Sequence, residues 1–137
     1  MIERTNALKG IEQFIGVWSG TARTQGMNPE SSQTFEWLSG NHFLLNRSVM
    51  DFGGMKLEAT RFLGFDESNQ EFVMHSVDSL GYDRTYRGTL SNGALRLCGS
   101  HERIRIEVDA NGKLLTRWEQ AADGWDWQLL CEICESK

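Results

Sequence analysis

The sequence has few of the residues that would mark several common classes of protein. It contains three cysteines, three histidines and one proline in 137 residues. Three cysteines are an odd count, so a full disulfide framework is not expected and a reducing compartment is the simplest interpretation. No apolar run approaches the ~20 residues that a membrane-spanning helix needs. These absences argue against a disulfide-stapled scaffold and against a helical membrane protein.

Positive charge is also scarce. The chain carries 14 Lys and Arg against 19 Asp and Glu, a net charge of −5. Nucleic acids and anionic membranes attract basic surfaces, so neither is expected as a partner. The first residues, Met1-Ile2-Glu3-Arg4, lack the basic-then-apolar pattern of a secretory signal. We therefore expect a soluble, cytoplasmic protein.

Aromatic residues, in contrast, are abundant. Five Trp and seven Phe must either pack in a core or line a cavity, because each has a large apolar surface. The length fits one domain, residues 1–137, with a single core. No internal repeat, linker or low-complexity tract divides it.

The N-terminal segment has the pattern of a short amphipathic helix. Leu8, Ile11 and Ile15 follow i, i+3, i+7 spacing, and Ala7 and Phe14 lie on the same flank. A polar residue at position 5 or 6 can cap its start, and a glycine at position 16 can end it.

From position 17 onward the chain alternates with a period of two and is interrupted by tight turns such as Asn111-Gly112. Ten short antiparallel strands at intervals of about ten residues are typical of a sandwich or barrel. The predicted strands are Val17–Thr24, Ser32–Leu38, His42–Met50, Met55–Gly64, Glu71–Asp78, Asp83–Thr89, Ala94–Cys98, Arg103–Val108, Lys113–Glu119 and Trp125–Cys134.

The alternation also predicts which side chains share a face. In the fifth strand, either His75 or the set Met74, Ser76 and Asp78 faces inward, because neighbouring residues point to opposite faces. In the last three strands the predicted shared faces are Ile104, Ile106 and Val108; Leu114, Thr116 and Trp118; and Trp125, Trp127, Leu129, Cys131 and Ile133.

Motifs that carry chemistry are missing. The sequence has no nucleophile elbow and no glycine-rich phosphate loop, and its histidines form no metal-binding pair. Cys131 and Cys134 have C-x-x-C spacing, but on a strand residues three apart point to opposite faces. We therefore predict no catalytic residues, no metal site and no cofactor.

The order of several landmarks is similar to that of the calycin-like domains called domain of unknown function 1579. The landmarks are Gly16-x-Trp18-x-Gly20, Gly40-Asn41-His42-Phe43-Leu44, Gly64-Phe65-Asp66, Asp78-Ser79-x-Gly81, Gly88, Gly93 and Asp123-Gly124. The resemblance covers nearly the whole chain and implies a lipocalin-like antiparallel barrel with an internal pocket. The family pattern often carries Trp two residues before the Asp of Asp78-Ser79, where this chain has Ser76.

A more distant resemblance is to nitrobindin, a haem-binding calycin barrel with a similar Gly-x-Trp-x-Gly start. That family binds haem through a histidine near its C-terminus. This chain has no histidine after Lys113, so it departs from the nitrobindin pattern at the residue on which haem binding depends.

The sequence thus predicts an all-β, antiparallel, up-and-down calycin-like barrel of about ten strands with a short N-terminal helix. Its expected function is to bind a small, largely apolar molecule inside the barrel, through apolar walls and a few polar anchors. The predicted ligand-binding residues are Trp37, Arg47, Ser76, Asp78, Arg84, Tyr86, Trp118 and Trp127, with Gln128 as a further anchor candidate.

Two alternatives remain open at this point. One is an enzyme or haem-type redox protein that uses the same pocket. The other is a packed barrel that serves only protein association. A barrel wall with exposed Leu or Trp would also offer a symmetric interface, so a homodimer is among the expected partners.

Overall fold

The computed structural model describes residues 1–137 and consists of one short α-helix, one 3₁₀ turn and ten β-strands. The helix α1 spans Arg4–Lys9, and the 3₁₀ turn spans Glu12–Phe14. The strands are β1 (Gly16–Arg23), β2 (Glu30–Trp37), β3 (Phe43–Asp51), β4 (Lys56–Asp66), β5 (Glu71–Asp78), β6 (Asp83–Ser91), β7 (Ala94–Cys98), β8 (Glu102–Val108), β9 (Leu114–Gln120) and β10 (Gln128–Ser136).

The ten strands form one closed antiparallel barrel. Each strand pairs with its neighbours in sequence, and β1 pairs with β10 to close the sheet. Closure leaves no unpaired edge. The all-β class, the up-and-down order and the number of strands are therefore confirmed, because period-two alternation and Asn-Gly or Asp-Gly turns are strong local signals.

The N-terminal segment closes one end of the barrel. Leu8, Ile11 and Phe14 are buried in the main core with Leu44, Leu63 and other strand residues. The Gln13 side chain donates a hydrogen bond to the backbone of the β6–β7 loop. We call the end of the barrel that this segment fills the closed end. None of the helices is long and apolar enough to cross a bilayer.

The predicted helix is correct in place but too long. The chain leaves the α-helix after Lys9, turns at Gly10 and continues as a 3₁₀ turn. The Gly10 backbone faces Leu90 so closely that a Cβ would overlap that side chain. No side chain caps the helix start, which lies at Glu3 rather than at Thr5 or Asn6.

The Gly16-x-Trp18-x-Gly20 motif has a packing explanation. Trp18 is 1% exposed, and its indole Nε1 donates to the Phe14 carbonyl at 2.9 Å. This hydrogen bond ties the N-terminal segment to the barrel. Gly20 pairs with Ser31 on one side and Glu135 on the other. A Cβ there would overlap the Cys134 carbonyl oxygen, so only glycine permits the close approach of β10.

The last strand corrects the sequence interpretation. It begins at Gln128 rather than at Trp125, and its register with β9 shifts between Leu129 and Cys131. Such a bulge changes which face later residues occupy. The predicted shared face is therefore wrong in its first half: Trp125 and Leu129 are 85% and 46% exposed, whereas Cys131 is buried.

Candidate functional site

The barrel encloses a cavity of about 690 Å³ at the end opposite α1. Its rim comes from the β1–β2, β3–β4 and β5–β6 loops, and roughly half of its lining residues are hydrophobic. The rim residues Met27, Met55, Leu80 and Tyr82 are each at least 47% exposed. We call this rim the mouth. A cavity of this volume is within the ordinary range for small-molecule sites.

Between the closed end and the mouth lies a layer of polar side chains that face the interior. We call this layer the polar belt; its members are Ser31, Gln33, Asn46, Arg61, Thr116 and Glu135, and all line the cavity. All except Arg61 are at most 7% exposed. Buried polar groups cost free energy unless they are paired, so the partners of the belt are informative.

Four of these side chains form a directional chain of hydrogen bonds. Arg61 Nη1 donates to Asn46 Oδ1 at 3.0 Å, and Asn46 Nδ2 donates to Gln33 Oε1 at 3.0 Å. Gln33 Nε2 in turn donates to Glu135 Oε1. Ser31 Oγ reaches the other oxygen of Glu135 at 3.0 Å, across the position of Gly20.

The orientation of both amides in this chain follows from one backbone group. Asn46 Nδ2 also lies 3.0 Å from the Thr34 carbonyl oxygen, which can only accept. The Asn46 Oδ1 atom must therefore face Arg61, and the Gln33 amide is fixed in turn. The belt presents a guanidinium at one end and a carboxyl group at the other.

Arg61 is incompletely paired. Its Nη1 also donates to Ser48 Oγ at 2.9 Å, but its Nε is buried and has no hydrogen-bond partner. The guanidinium lies 5.2 Å from the Trp118 ring centroid. Burial lowers the pKa of Arg61, and the nearby Tyr86 and Asp78 raise it. An arginine side chain nevertheless stays protonated in proteins, so a positive charge faces the cavity.

A second polar group lies nearer the mouth. Glu102 accepts from the Tyr86 hydroxyl at 2.6 Å and pairs with Arg84 at 3.0 Å. Burial, followed by the Glu102 carboxylate, raises the pKa of Tyr86, so its hydroxyl stays protonated. Tyr86 packs edge-on against Trp118 with the ring centroids 5.7 Å apart. The carboxylate of Glu102 is thus fully engaged by its own two donors.

Burial also shapes the ionisation of two β10 side chains. It raises the pKa of Glu135, while the hydrogen bonds from Gln33 and Ser31 lower it. It raises the pKa of the Cys131 thiol to about 11, with Glu132 adding to the effect. Cys131 is therefore a neutral, weakly polar part of the cavity wall rather than a reactive thiolate.

Five of the predicted ligand-binding residues line the cavity: Ser76, Asp78, Arg84, Tyr86 and Trp118. The open alternative on β5 is resolved in favour of Met74, Ser76 and Asp78, since His75 is exposed on the outer face. Asp78 Oδ1 accepts from the backbone N–H groups of Leu80 and Tyr82, so part of its role is to hold the β5–β6 loop.

The other predicted site residues lie away from the cavity. Trp37 packs against the core at the closed end, and Arg47 is exposed on the outer face of β3. Trp127 precedes β10 and packs outside, beneath Arg103, whose guanidinium lies 4.2 Å from its ring centroid. Gln128 is exposed at the first position of β10. Arg47 points outward because it alternates with the inward residues of β3. Trp127 lies outside because β10 starts later than predicted and contains a bulge.

The sequence interpretation did not select Arg61 or Glu135, yet both belong to the polar belt. A signal for Arg61 was present, because it alternates with Ala59, Leu63 and Phe65 on one face of β4. An arginine on the apolar face of a strand is unusual. Glu135 continues the predicted face of Cys131 and Ile133, but it lies beyond Cys134, where the predicted strand ended, whereas β10 extends to Ser136.

The histidines and cysteines do not form a cluster of reactive or metal-binding side chains in the cavity. His42, His75 and His101 are all exposed, and none lines it. No group of three His, Cys, Asp or Glu side chains is arranged to hold a metal ion. All three cysteines are free, and Cys131 is buried while Cys134 is exposed, so the C-x-x-C pair points to opposite faces.

No curated protein has significant sequence similarity to the chain. One family model matches residues 5–118, from α1 into β9, and its description is "Protein of unknown function (DUF1579)". The match leaves β10, and therefore Glu135, outside the matched residues. Because the match covers most of the chain, this protein belongs to the DUF1579 family.

Proposed function

We propose that this protein binds a small, largely apolar molecule inside the barrel. The observation that carries the proposal is the cavity of about 690 Å³, which has an apolar mouth and a polar belt beneath it. Small-molecule sites commonly combine apolar walls with a few well-placed polar groups. Burial of apolar ligand surface would supply about 25 cal/mol per Å² before the costs of association.

The contrast between a packed end and an unfilled end supports ligand binding over a purely structural barrel. The closed end is packed solid with Trp18, Phe14, Leu44, Leu63 and their neighbours. The same barrel leaves its other end unfilled and places flexible methionines at the rim. Methionine side chains adapt to irregular ligand surfaces because they are unbranched and polarizable.

A haem-type function finds less support. The cavity has no histidine to ligate iron, since all three histidines lie on the outside. The Tyr86 hydroxyl is engaged by Glu102 and kept protonated, so it is a poor anionic ligand.

The test uses Nile red, a neutral dye whose emission increases in apolar surroundings. We expect wild-type protein to enhance its emission and Ser76→Trp to abolish the enhancement, because Ser76 is 8% exposed and lines the cavity. The matched control is Val77→Trp, one residue along β5 on the outer face, where the side chain is 50% exposed. Equal dye emission for wild type and Ser76→Trp, with both folded by circular dichroism, would contradict the proposal.

A further inference from the structure

We propose that the ligand carries an anionic head group, a carboxylate, which the Arg61 guanidinium and the Thr116 hydroxyl bind within the polar belt while the apolar part extends toward the mouth. This inference rests on the proposed function and adds to it the chemical class of the ligand.

The positive charge of Arg61 has no ion-pair partner in the protein. The Arg61 guanidinium donates only to two neutral acceptors, Asn46 Oδ1 and Ser48 Oγ. It is absent from the eight ion pairs of the barrel, which use other arginines. A buried charge without an ionic partner is costly. A ligand carboxylate would relieve that cost, whereas a neutral or cationic head group would not.

Unpaired polar atoms in the cavity wall support an anionic ligand independently of the charge. Only two buried side-chain polar atoms in the protein lack a hydrogen-bond partner, Arg61 Nε and Thr116 Oγ1. Both residues line the same cavity, although they come from β4 and β9. Trp118 lies two residues beyond Thr116 on the same face of β9 and sits beneath the Arg61 guanidinium. Unpaired buried donors are rare in folded proteins, so two that line the same cavity from opposite sides of the barrel indicate a site for an acceptor.

The three carboxylates that line the cavity have hydrogen-bond partners other than Arg61. Glu102 is held by Tyr86 and Arg84, and Glu135 by Gln33 and Ser31. Asp78 Oδ1 accepts two backbone N–H groups of its own loop. None of the three is within ion-pair distance of Arg61, so the guanidinium remains available to a ligand.

The order of side chains along the cavity favours one direction for the ligand. The inward side chains of β3 run from Asn46 in the belt through Ser48 to Met50 at the mouth. The ordering of polar belt and apolar mouth matches a molecule whose charged head lies inside and whose tail points outward. The reverse orientation would leave the guanidinium against hydrocarbon.

The decisive experiment compares three ligands that share one tail: decanoate, decanol and decyltrimethylammonium, each displacing Nile red below its critical micelle concentration at pH 7.5. We expect decanoate to bind at least about tenfold more tightly than decanol, the scale of a charge-assisted hydrogen bond, and decyltrimethylammonium to bind most weakly. Equal affinities for decanoate and decanol would overturn the inference and leave the proposed function intact. Failure of all three ligands, and of Nile red itself, would overturn both.

Substitutions in the polar belt test which residues cause the preference for decanoate. Arg61→Gln should remove the preference for decanoate and leave decanol affinity within about twofold, whereas the control Arg47→Gln, on the outer face of the adjacent strand, should change neither. If Arg61→Gln does not fold, Thr116→Val carries the test, because valine replaces the hydroxyl with a methyl group that cannot hydrogen-bond. We expect it to weaken decanoate about three- to tenfold and decanol not at all. Unchanged decanoate affinity in a folded Arg61→Gln or Thr116→Val would contradict the inference.

Discussion

Along two neighbouring strands, the interior of the barrel changes character from one end to the other. On β3 the inward residue is Leu44 at the closed end and Asn46 in the polar belt. On β4 the corresponding residues are Leu63 and Arg61. The same backbone and the same alternation therefore support dry packing at one end and a polar cavity at the other.

Stability comes mainly from the closed end, whereas the proposed ligand contacts lie in the polar belt. At the closed end, large side chains such as Trp18 and Leu44 are at most 1% exposed, so burial and dispersion stabilise the fold there. In the polar belt, the barrel keeps a positive charge and two unpaired polar atoms, which cost stability. Unpaired polar groups of this kind are typical of functional sites.

Alanine substitution of two tryptophans, one at each end of the barrel, should give the most different losses of stability. Trp18→Ala should lower the free energy of unfolding by about 3–5 kcal/mol, because it creates a cavity in the packed end and removes the bond to Phe14. Trp118→Ala should cost less, about 1–2 kcal/mol, because Trp118 is only partly buried and already borders open space. Urea denaturation followed by circular dichroism measures both. Equal losses would contradict the division between the ends.

A smaller effect is expected at the boundary between the ends. Gly20→Ala should destabilise the protein by about 1–3 kcal/mol, since its Cβ would overlap the Cys134 carbonyl and force β1 from β10. Gly54→Ala is the control, because no atom lies within 4 Å of the added Cβ and its φ is not positive. A Gly20→Ala variant as stable as Gly54→Ala would show that the close strand approach is not needed.

Thr116→Val, unlike the substitutions above, should stabilise the ligand-free protein. Removing a buried, unpaired hydroxyl should raise the free energy of unfolding of the ligand-free protein by about 1 kcal/mol. The same substitution should weaken carboxylate binding, as argued above. Thermal denaturation in the absence of ligand gives the stability change, and a loss of stability would mean that the hydroxyl is paired within the protein.

The smallest effect depends on pH. Burial raises the pKa of Glu135, so the folded protein binds a proton more tightly than the unfolded chain, and stability falls as pH rises from the unfolded value of 4.5 through the folded pKa. Glu135→Gln keeps acceptor and donor contacts to Gln33 and Ser31 without this penalty. We expect its Tm to exceed that of wild type at pH 8 by a few degrees, about 4 °C per kcal/mol. At pH 4 the gain should vanish, and a gain independent of pH would contradict the assignment.

Much of the fold was readable from the sequence. The ten strands follow from alternation and turn residues that act over a few positions, so pairs such as Asn92-Gly93 locate hairpins without any tertiary information. The inward set Met74, Ser76 and Asp78 was one of two stated alternatives, and only the register of β5 with β4 and β6 decided between them.

The cavity was harder to predict because its polar belt depends on long-range register. Arg61 and Glu135 are charged, and charged residues on strands are usually solvated. Glu135 lies beyond the predicted end of the last strand at Cys134, and the bulge in β10 removes Trp127 from the inner face. A bulge leaves no reliable local pattern, so the sequence predicted the aromatic wall at Trp118 but not the charge opposite it.

A ligand that enters only through the mouth should leave the closed end undisturbed, and the tryptophan indole N–H signals report on both ends. The chain has five tryptophans, of which only Trp118 lines the cavity while Trp18 plugs the closed end. In a ¹H–¹⁵N titration with decanoate, assigned through Trp118→Phe and Trp18→Phe, the Trp118 signal should move to saturation and the Trp18 signal should stay in place. A Trp118 signal that does not respond while other indole signals move would contradict the account.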